Sequence, residues 1–230
     1  MGEGIGNEEQ LMPYINAANI ACGYHAGDAA TMEYVMTLCS KYGVHIGAHP
    51  SFPDKENFGR TAMQLPLADV YTIVTEQLKI INAKAKRNAA KLHHVKPHGA
   101  LYNMAAKDAA LAITIAQAVK DFDASLIYYG LSGSVMISEA EKLGLKTASE
   151  VFADRSYQAD GSLTARYQPG ALLNDKDAVV KQVLKLVREN KVTAITGETF
   201  FIQADTICIH GDGAHAVEFA KAIHQHINEK

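Results

Sequence analysis

The stretch Asn19-Ile-Ala-Cys-Gly-Tyr-His-Ala-Gly-Asp28 joins an apolar run to a polar loop. The run stops at Gly23, and His25 and Asp28 follow within a few residues. Apolar residues then recur at helical spacing, at Met32, Val35, Met36 and Cys39. The stretch therefore predicts a strand that ends in a loop with reactive side chains, followed by a helix.

The same order of strand, polar loop and helix recurs along the chain. Three more apolar runs lead into ionisable residues: Ile46 into His49 and Asp54, Val95 into Lys96 and His98, and Ile209 into His210 and Asp212. α/β barrels and open parallel sheets build active sites from residues just past the C-terminal ends of their strands. We therefore expect the functional residues to lie at one end of a parallel sheet.

Strands and helices alternate in the pattern of an α/β protein. Strands are predicted at residues 17–22, 44–48, 92–97, 125–129, 145–151 and 206–210, with a doubtful seventh at 195–202. Helices are predicted at residues 28–42, from Pro66 onward, and at 107–122, 134–143, 175–190 and 214–227. Both a β/α barrel and an open doubly wound sheet fit this count. Polar residues after nearly every strand favour the TIM-like barrel, and no Gly-x-Gly-x-x-Gly turn supports a dinucleotide-binding sheet.

Composition limits the classes of function. With 230 residues, 48% of them hydrophobic, and no linker, the chain is expected to form one domain over residues 1–230. A net charge of −3 with mixed signs gives no basic surface for nucleic acid or membrane, and no apolar run reaches the roughly 20 residues of a spanning helix. An odd set of three cysteines, Cys22, Cys39 and Cys208, and the lack of a positively charged leader indicate the cytoplasm.

Three histidines follow three different predicted strands. In a barrel His25, His49 and His98 would converge, and together with Asp28 they can ligate zinc, manganese or iron. No two of them have the i, i+3 or i, i+4 spacing of a helical metal pair, so hydrogen bonding or proton transfer is the favoured role. Asp28 also suits the N-cap of the following helix.

Other charged residues cluster after later strands. Lys96 is interpreted as a strand-end cation that can steady a phosphate or an oxyanion, with a solvated lysine as the alternative. Glu150, Asp154, Arg155 and Tyr157 bring both signs of charge and a phenol into one segment. The run His210-Gly-Asp-Gly follows the last strand, where barrels often hold phosphate and where Asp212 can hold the accompanying Mg²⁺.

Several long motifs stand in order along the chain. After the opening stretch come Gly47-Ala-His-Pro50, Phe58-Gly-Arg60, Val95-Lys-Pro-His-Gly-Ala-Leu-Tyr102 and Glu150-Val-Phe-Ala-Asp-Arg155, and Asp160-Gly161, Arg166 and Pro169-Gly170 continue the series. Together these motifs resemble the LamB/YcsF family over essentially the whole chain. The resemblance implies a seven-stranded β/α barrel of the glycoside hydrolase and deacetylase type. It also implies a 5-oxoprolinase, a hydrolase that opens the cyclic amide 5-oxo-L-proline to L-glutamate with ATP, in a complex with two further subunits, B and C.

This chemistry assigns expected roles to the residues. The catalytic set is expected to be His25, Asp28, His49, Lys96, His98 and Asp154, and the substrate- or phosphate-binding set Arg60, Glu150, Arg155, Tyr157, His210 and Asp212. ATP with Mg²⁺ is the expected cofactor, and no residue is assigned as a metal ligand. We also expect Lys96→Ala to remove activity and leave the melting temperature nearly unchanged, as befits a residue outside the core.

Two alternatives and one departure from the family pattern remain. The alternatives are a metal-dependent deacetylase-like amide hydrolase acting on a carbohydrate, and a non-catalytic binding subunit. The family's strand reading about Asp-Leu-Asn-Cys-Asp-Leu normally precedes Gly2-Glu3-Gly4, and it does not occur here. We therefore expect a barrel that lacks its first strand, with a gap between the strands at 17–22 and 206–210.

Overall fold

The fold is built on a six-stranded parallel sheet. The structure is a computed structural model and describes residues 1–228. The sheet contains β1 (Ala17–Ala21), β2 (His45–His49), β3 (Leu92–Val95), β4 (Ile127–Leu131), β5 (Lys146–Phe152) and β8 (Thr206–Cys208), in the order β1-β2-β3-β4-β5-β8. All five pairings are parallel. The sheet curls into a half-barrel, which confirms the α/β class and is consistent with a TIM-like barrel.

Helices connect and cover the strands. They are α1 (Glu8–Leu11), α2 (Ala29–Tyr42), α3 (Leu67–Arg87), α4 (Gly99–Ala105), α5 (Ala109–Asp123), α6 (Val135–Lys142), α7 (Lys176–Glu189) and α8 (Ala216–Asn228), and a 3-10 turn spans Met12–Tyr14. The sequence predicted all the longer helices to within a few residues. It did not predict the short helix α4, which follows β3 directly. No helix in the described part of the chain is long and apolar enough to cross a membrane.

The doubtful strand at residues 195–202 does not belong to the main sheet. Its strand residues form β7 (Thr199–Phe201), which pairs antiparallel with β6 (Lys191–Thr193) in a separate two-stranded sheet. This small sheet follows α7; its Val192 is fully buried in the main core, whereas Phe201 is largely exposed. The sequence shows no antiparallel pattern here because three-residue strands are too short to display an alternation.

The core lies between the sheet and its helices. Val74, Leu78 and Ile81 of α3 recur at spacings of four and three residues, and all are fully buried. This stripe faces α5, with which α3 packs along much of its length. Each such side chain contributes about 1.5–3 kcal/mol by leaving water. Helix α2 ends at Gly43, whose φ of 69° suits a left-handed C-terminal cap.

The two edges of the main sheet are β1 and β8, which do not pair with each other within residues 1–228. Met1 instead contacts the free edge of β1. Its ammonium donates to the Asn19 carbonyl at 2.9 Å, and the Ala21 N–H donates to the Met1 carbonyl at 3.0 Å. These two bonds have the alternation of a parallel ladder. One residue of the N-terminal segment thus occupies a pairing position beside β1.

A buried histidine crosses the interior of the half-barrel. His94 on β3 is fully buried, stacks on Tyr129 with ring centroids 4.1 Å apart, and contacts the Asn19 Oδ1 at 2.9 Å. A Cβ on Gly47 of the neighbouring strand would lie only 2.0 Å from the His94 Nε2. Gly47 is therefore the residue that leaves room for the imidazole.

Candidate active site

A cavity of about 1330 Å³ lies along the open side of the sheet. Residues of both edge strands line it, together with residues at or just beyond the C-terminal ends of β2, β3 and β5. His49, Lys96, His98, Glu150 and His210 are among them. These five polar side chains, which come from different strands or the segments after them, therefore share one cavity.

Three histidines form a compact cluster beside this cavity. His25 and His98 stack in parallel with ring centroids 3.8 Å apart, and His49 meets both edge-on at 5.7 and 4.8 Å. All three are buried, with His25 only 2% exposed. His25 comes from the loop after β1, His49 ends β2, and His98 follows β3. Three adjacent strands of the parallel sheet therefore bring these rings together.

Backbone and side-chain partners fix the orientation of each ring. The His49 Nδ1 lies 2.6 Å from the Lys96 carbonyl, and the His98 Nε2 lies 2.8 Å from the Phe58 carbonyl. The remaining nitrogens of these two rings, His49 Nε2 and His98 Nδ1, face each other at 3.0 Å. The His25 Nδ1 lies 2.9 Å from the Ser51 hydroxyl oxygen.

Burial keeps two of the rings neutral. Burial, together with the charge of His98, lowers the pKa of His49 well below its ordinary value. Burial and the neighbouring His25 lower the pKa of His98 to about 3. Both rings are therefore neutral imidazoles at physiological pH, with one nitrogen lone pair each.

Glu3 joins the cluster from the N-terminal segment, and sequence reasoning did not assign it to the site. Its Oε1 lies 3.3 Å from the His25 Nε2, and its Oε2 lies 3.5 Å from the Met1 ammonium. Burial would raise the pKa of Glu3, but the Met1 ammonium and the hydrogen bond with His25 lower it. Glu3 is thus a carboxylate. The only signal was its place within Gly2-Glu3-Gly4, where flexible glycines flank a single charged residue.

The loop between β2 and α3 covers the histidine cluster. Asp54 organises it by accepting hydrogen bonds from the Asn57 side chain at 2.8 Å and the Thr61 N–H at 3.0 Å. Phe58 has a φ of 58°, in the left-handed region that a bulky residue rarely adopts. Its ring meets His25 and His98 edge-on at 5.5 and 5.4 Å. The next residue, Gly59, has no room for a side chain, because a Cβ would lie 2.9 Å from the His25 Cβ.

Lys96 is a buried ion-pair partner and is not a free strand-end cation. Its Nζ lies 2.6 Å from the Glu150 Oε1 and 3.1 Å from the Cys208 Sγ. Tyr102 donates its hydroxyl to the other Glu150 oxygen at 2.7 Å. Burial alone would lower the pKa of Lys96, but Cys208 and Glu150 raise it, so the ammonium stays charged. The prediction of a solvated or freely available Lys96 is therefore wrong, because its charge is already matched by Glu150.

Asp154 and His210 form a second polar pair beside the cavity. The His210 Nδ1 lies 2.9 Å from the Asp154 Oδ1, and the His210 N–H donates to the other carboxylate oxygen at 3.2 Å. Burial would raise the pKa of Asp154, but these hydrogen bonds and the charge of His210 lower it. The pair links the end of β5 to the segment after β8.

Arg155 and Tyr157 hold the segment after β5 in place. The Arg155 guanidinium donates to the carbonyls of Thr164 and Ala171, and it lines the cavity. Tyr157 is fully buried, and its hydroxyl accepts from the Phe152 N–H at 2.7 Å. Tyr157 therefore lies behind the site, where a substrate does not reach it.

Arg60 and Asp212 form an ion pair at the mouth of the cavity, with 2.5 Å between Nη2 and Oδ2. The Arg60 guanidinium also lies over the Phe58 ring, 4.9 Å from its centroid. Arg166 lines the same cavity, and its pKa is lowered by burial and by the charge of Arg60. Arg60 and Arg166 therefore lie close together on this cavity, and the charges of Asp212 and Asp154 act on Arg166.

Asp28 lies outside this group of residues. It is exposed and caps α2, accepting from the Thr31 N–H at 2.8 Å in a capping box. Hydrogen bonds with Thr31 lower the pKa of its carboxyl. The N-cap interpretation of Asp28 is therefore confirmed, and it does not line the cavity.

The free thiols do not form a nucleophilic centre. Cys22 is fully buried, and burial raises its pKa to about 12. Burial likewise raises the pKa of Cys208 to about 12, although Lys96 opposes the shift. Cys22 is thus a packing residue, as its place at the end of an apolar strand indicates.

Comparisons with known proteins agree with the motif series. A model of the LamB/YcsF family matches residues 1–230. The chain is 54% identical to a protein of Tolumonas auensis that is named as the A subunit of 5-oxoprolinase, over 95% of this chain and 87% of that protein. It is 49% identical to the protein of the same name from Staphylococcus carnosus, over 100% and 93%.

A solved structure has the same fold. The crystal structure of a lactam utilization protein from Thermus thermophilus superposes with a TM-score of 0.90 at 40% identity, covering 96% of this chain and 88% of that one. Family match, sequence identity and structural similarity all extend over nearly the whole chain. The chain therefore belongs to the LamB/YcsF family.

Proposed function

We propose that this protein is the A subunit of a 5-oxoprolinase, a hydrolase that opens 5-oxo-L-proline to L-glutamate with the hydrolysis of ATP. The observation that carries the proposal is identity of about half over nearly the full chain to proteins named as the A subunit of 5-oxoprolinase. The deacetylase alternative is not favoured, since these relatives are named for a cyclic amide and not for a carbohydrate. The protein acts as one domain over residues 1–230, in the cytoplasm.

The proposed place of reaction is the cavity beside His25, His49 and His98. A volume of about 1330 Å³ exceeds the roughly 300–1,000 Å³ of ordinary ligand pockets. A small cyclic amide fills only a part of it. The remainder gives room for the phosphate groups of ATP with Mg²⁺, or for a segment of a partner protein. The complex contains two further subunits, B and C.

The chemistry requires three kinds of group. A five-membered lactam is a resonance-stabilised amide, and phosphorylation of its oxygen turns the ring carbonyl carbon into an electrophile that water attacks. Cations are needed beside the phosphates, a neutral base or equivalent beside the water, and donors beside the developing oxyanion.

The cavity offers these groups in separate places. The proposed contacts for phosphate are Arg60, Arg155 and His210, whose ring is held by Asp154. Asp212 is the proposed ligand of Mg²⁺. The attacking water is proposed to lie beside His49 and His98, because both are neutral rings that line the cavity. Lys96 and Glu150 act together as a fixed pair beneath the cavity, and Asp28 and Tyr157 support the fold around it.

The open side of the sheet has a proposed counterpart in the family's barrel. The gap between β1 and β8 is where one further parallel strand would complete a seven-stranded barrel. The two ladder-like bonds of Met1 on β1 support this interpretation, because they show that the edge accepts a parallel neighbour.

Glutamate formation from 5-oxoproline and ATP tests the proposal. We expect little or no turnover by the chain alone, and ATP-dependent turnover when the B and C subunits are added. His98→Gln in the complete complex is expected to reduce kcat by at least about 100-fold, the order of one acid–base contribution. The matched control is His215→Gln, which changes an exposed histidine of a surface pair with Glu218.

Two results would contradict the proposal at different levels. If the complete complex forms no glutamate in the presence of ATP, the proposed 5-oxoprolinase function is wrong. If the complex with His98→Gln turns over as fast as wild type, the histidine cluster is not the site of reaction, and the proposed function is unaffected. Release of acetate from an N-acetyl sugar without ATP would support the deacetylase in its place.

A further inference from the structure

The histidine cluster contains nitrogen lone pairs that face one another with no hydrogen between them. In a neutral imidazole one nitrogen carries hydrogen and the other a lone pair, and the partner of the first decides the tautomer. A carbonyl oxygen only accepts hydrogen bonds. The nitrogen that contacts a carbonyl must therefore be the protonated one.

This rule fixes two tautomers. The His49 Nδ1 lies 2.6 Å from the Lys96 carbonyl and so carries the hydrogen, which leaves the lone pair on Nε2. The His98 Nε2 lies 2.8 Å from the Phe58 carbonyl and so carries the hydrogen, which leaves the lone pair on Nδ1. These two lone pairs are the atoms that face each other at 3.0 Å.

The third ring, His25, contacts a hydroxyl and a carboxylate. The Ser51 hydroxyl donates its hydrogen to the Phe52 carbonyl at 3.0 Å, so its oxygen accepts from the His25 Nδ1. The His25 Nε2 faces the Glu3 carboxylate, with 3.3 Å between the two atoms. The two facing nitrogens of His49 and His98 therefore lie beside a carboxylate whose other oxygen contacts the Met1 ammonium at 3.5 Å.

The facing lone pairs of His49 and His98 repel each other in this buried place unless a cation lies between them. The donor atoms of Glu3, His49 and His98 all lie within 4.8 Å of one another. Nitrogens bound about 2.0–2.1 Å from one metal ion lie about 2.9–3.4 Å apart for angles between octahedral and tetrahedral. The 3.0 Å between the His49 and His98 nitrogens falls in that range.

The outer contacts of the two rings are also those of metal ligands. A histidine that ligates a metal donates its other ring N–H to a backbone carbonyl or a carboxylate, which fixes the tautomer and orients the ring. Both His49 and His98 do so, from positions on different strands.

We propose that Glu3, His49 and His98 bind a divalent transition-metal ion, with His25 beside them as a candidate fourth ligand. Two imidazoles and one carboxylate suit zinc, and they also suit iron(II) or manganese. All three residues line the cavity, so the open coordination positions face the space where a small ligand or water binds. Metal binding does not depend on the proposed 5-oxoprolinase activity.

The proposal is tested by metal binding to the tag-free full-length chain. Stripped protein is titrated with Zn²⁺ and with Mn²⁺ by calorimetry, and the bound metal is counted by elemental analysis after dialysis. One equivalent of Zn²⁺ is expected. His49→Ala and Glu3→Gln should each weaken binding by about 100-fold or more, since losing even an outer partner of a ligand weakens binding 10–100-fold.

A surface pair provides the matched control. His215 and Glu218 on the exposed start of α8 lie 3.3 Å apart and offer one nitrogen and one carboxylate of the same types. The double variant His215→Gln/Glu218→Gln should leave the affinity and the stoichiometry within twofold of wild type. Loss of binding in this variant would assign the metal to the surface and overturn the proposal.

The tautomers supply a second measurement that does not need the variants. Nitrogen NMR of the stripped protein should show His49 protonated at Nδ1 and His98 at Nε2. Addition of Zn²⁺ should shift His49 Nε2 and His98 Nδ1. A hydrogen shared between these two nitrogens, together with no binding of Zn²⁺ or Mn²⁺, would show that a proton is the cation and overturn the proposal. Folding of the variants is checked by circular dichroism.

Discussion

Replacing Lys96 by Met removes one charge from a buried ion pair and keeps most of the side chain's volume. In the structure the Lys96 and Glu150 side chains are 7% and 2% exposed, and their charged atoms are 2.6 Å apart. The variant would leave the Glu150 carboxylate buried, with only the Tyr102 hydroxyl as its partner. We therefore expect a large loss of stability, in place of the unchanged melting temperature that a residue outside the core would give.

The size of this loss follows from the uncompensated charge. Removing one partner of a buried pair costs about 3–5 kcal/mol. For a chain of this length each kcal/mol lowers the melting temperature by about 2–4 °C, so a decrease of about 6–20 °C is expected. The double variant Lys96→Met/Glu150→Gln removes both charges and keeps an acceptor for Tyr102. It should recover at least about half of the lost free energy, since a buried pair adds little net stability over neutral residues.

Thermal and urea unfolding of the two single variants, the double variant and a surface control measure this coupling. The control is Lys142→Met, which breaks an exposed pair with Glu139 at 2.7 Å and should cost less than about 1 kcal/mol. The reasoning is refuted if Lys96→Met melts within about 2 °C of wild type. It is equally refuted if the double variant is no more stable than Lys96→Met.

Three further outcomes are expected. Gly47→Ala should destabilise the fold by several kcal/mol or expel His94, because the new Cβ would clash with the His94 Nε2. The control Gly211→Ala, whose Cβ would lie 3.8 Å from its nearest neighbour, should melt like wild type. Asp154→Asn should lower the melting temperature at pH 7. Because the fold lowers the pKa of Asp154 below 3.8, its ionised form contributes stability that is fully present above about pH 4 and is lost as the pH falls through the lowered pKa. The difference in melting temperature between the two proteins should therefore shrink in acid, and a difference that acidification does not change contradicts the ion pair with His210. Finally, Cys22 and Cys39 should not react with a thiol reagent at pH 8 until the chain unfolds, since both are buried and their pKa values are raised to about 12 and 11. Rapid labelling of either cysteine in the folded protein would contradict this prediction and show that its strand or helix opens.

The sequence predicted the parallel sheet and the convergence of the histidines because both depend on local order. An apolar run followed by His49 or by His98 is sufficient to place a ring after a strand, and parallel strands then carry these rings to the same end. The helix cap at Asp28 and the chain reversal at Gly43 are likewise local signals.

The features that sequence reasoning missed depend on partners far along the chain. Burial of Lys96 is possible only because Glu150, on a strand two positions away in the sheet, neutralises it. Glu3 reaches the cluster because Met1 pairs with β1, and a Gly-rich start has no periodicity that would reveal this. The role of Gly47 depends on the path of His94 across the sheet. Pairings of this kind are set by tertiary packing and leave no trace in the spacing of residues.

The left-handed backbone at Phe58 decides where one proton of the cluster lies. A bulky residue in this conformation costs about 1–3 kcal/mol, which the packing around it must supply. In this conformation the Phe58 carbonyl lies 2.8 Å from the His98 Nε2 and holds the ring hydrogen there. Without that carbonyl the hydrogen would be free to occupy Nδ1, where it would donate to the His49 Nε2. The backbone angle of one loop residue thus sets the tautomer of a histidine on another strand.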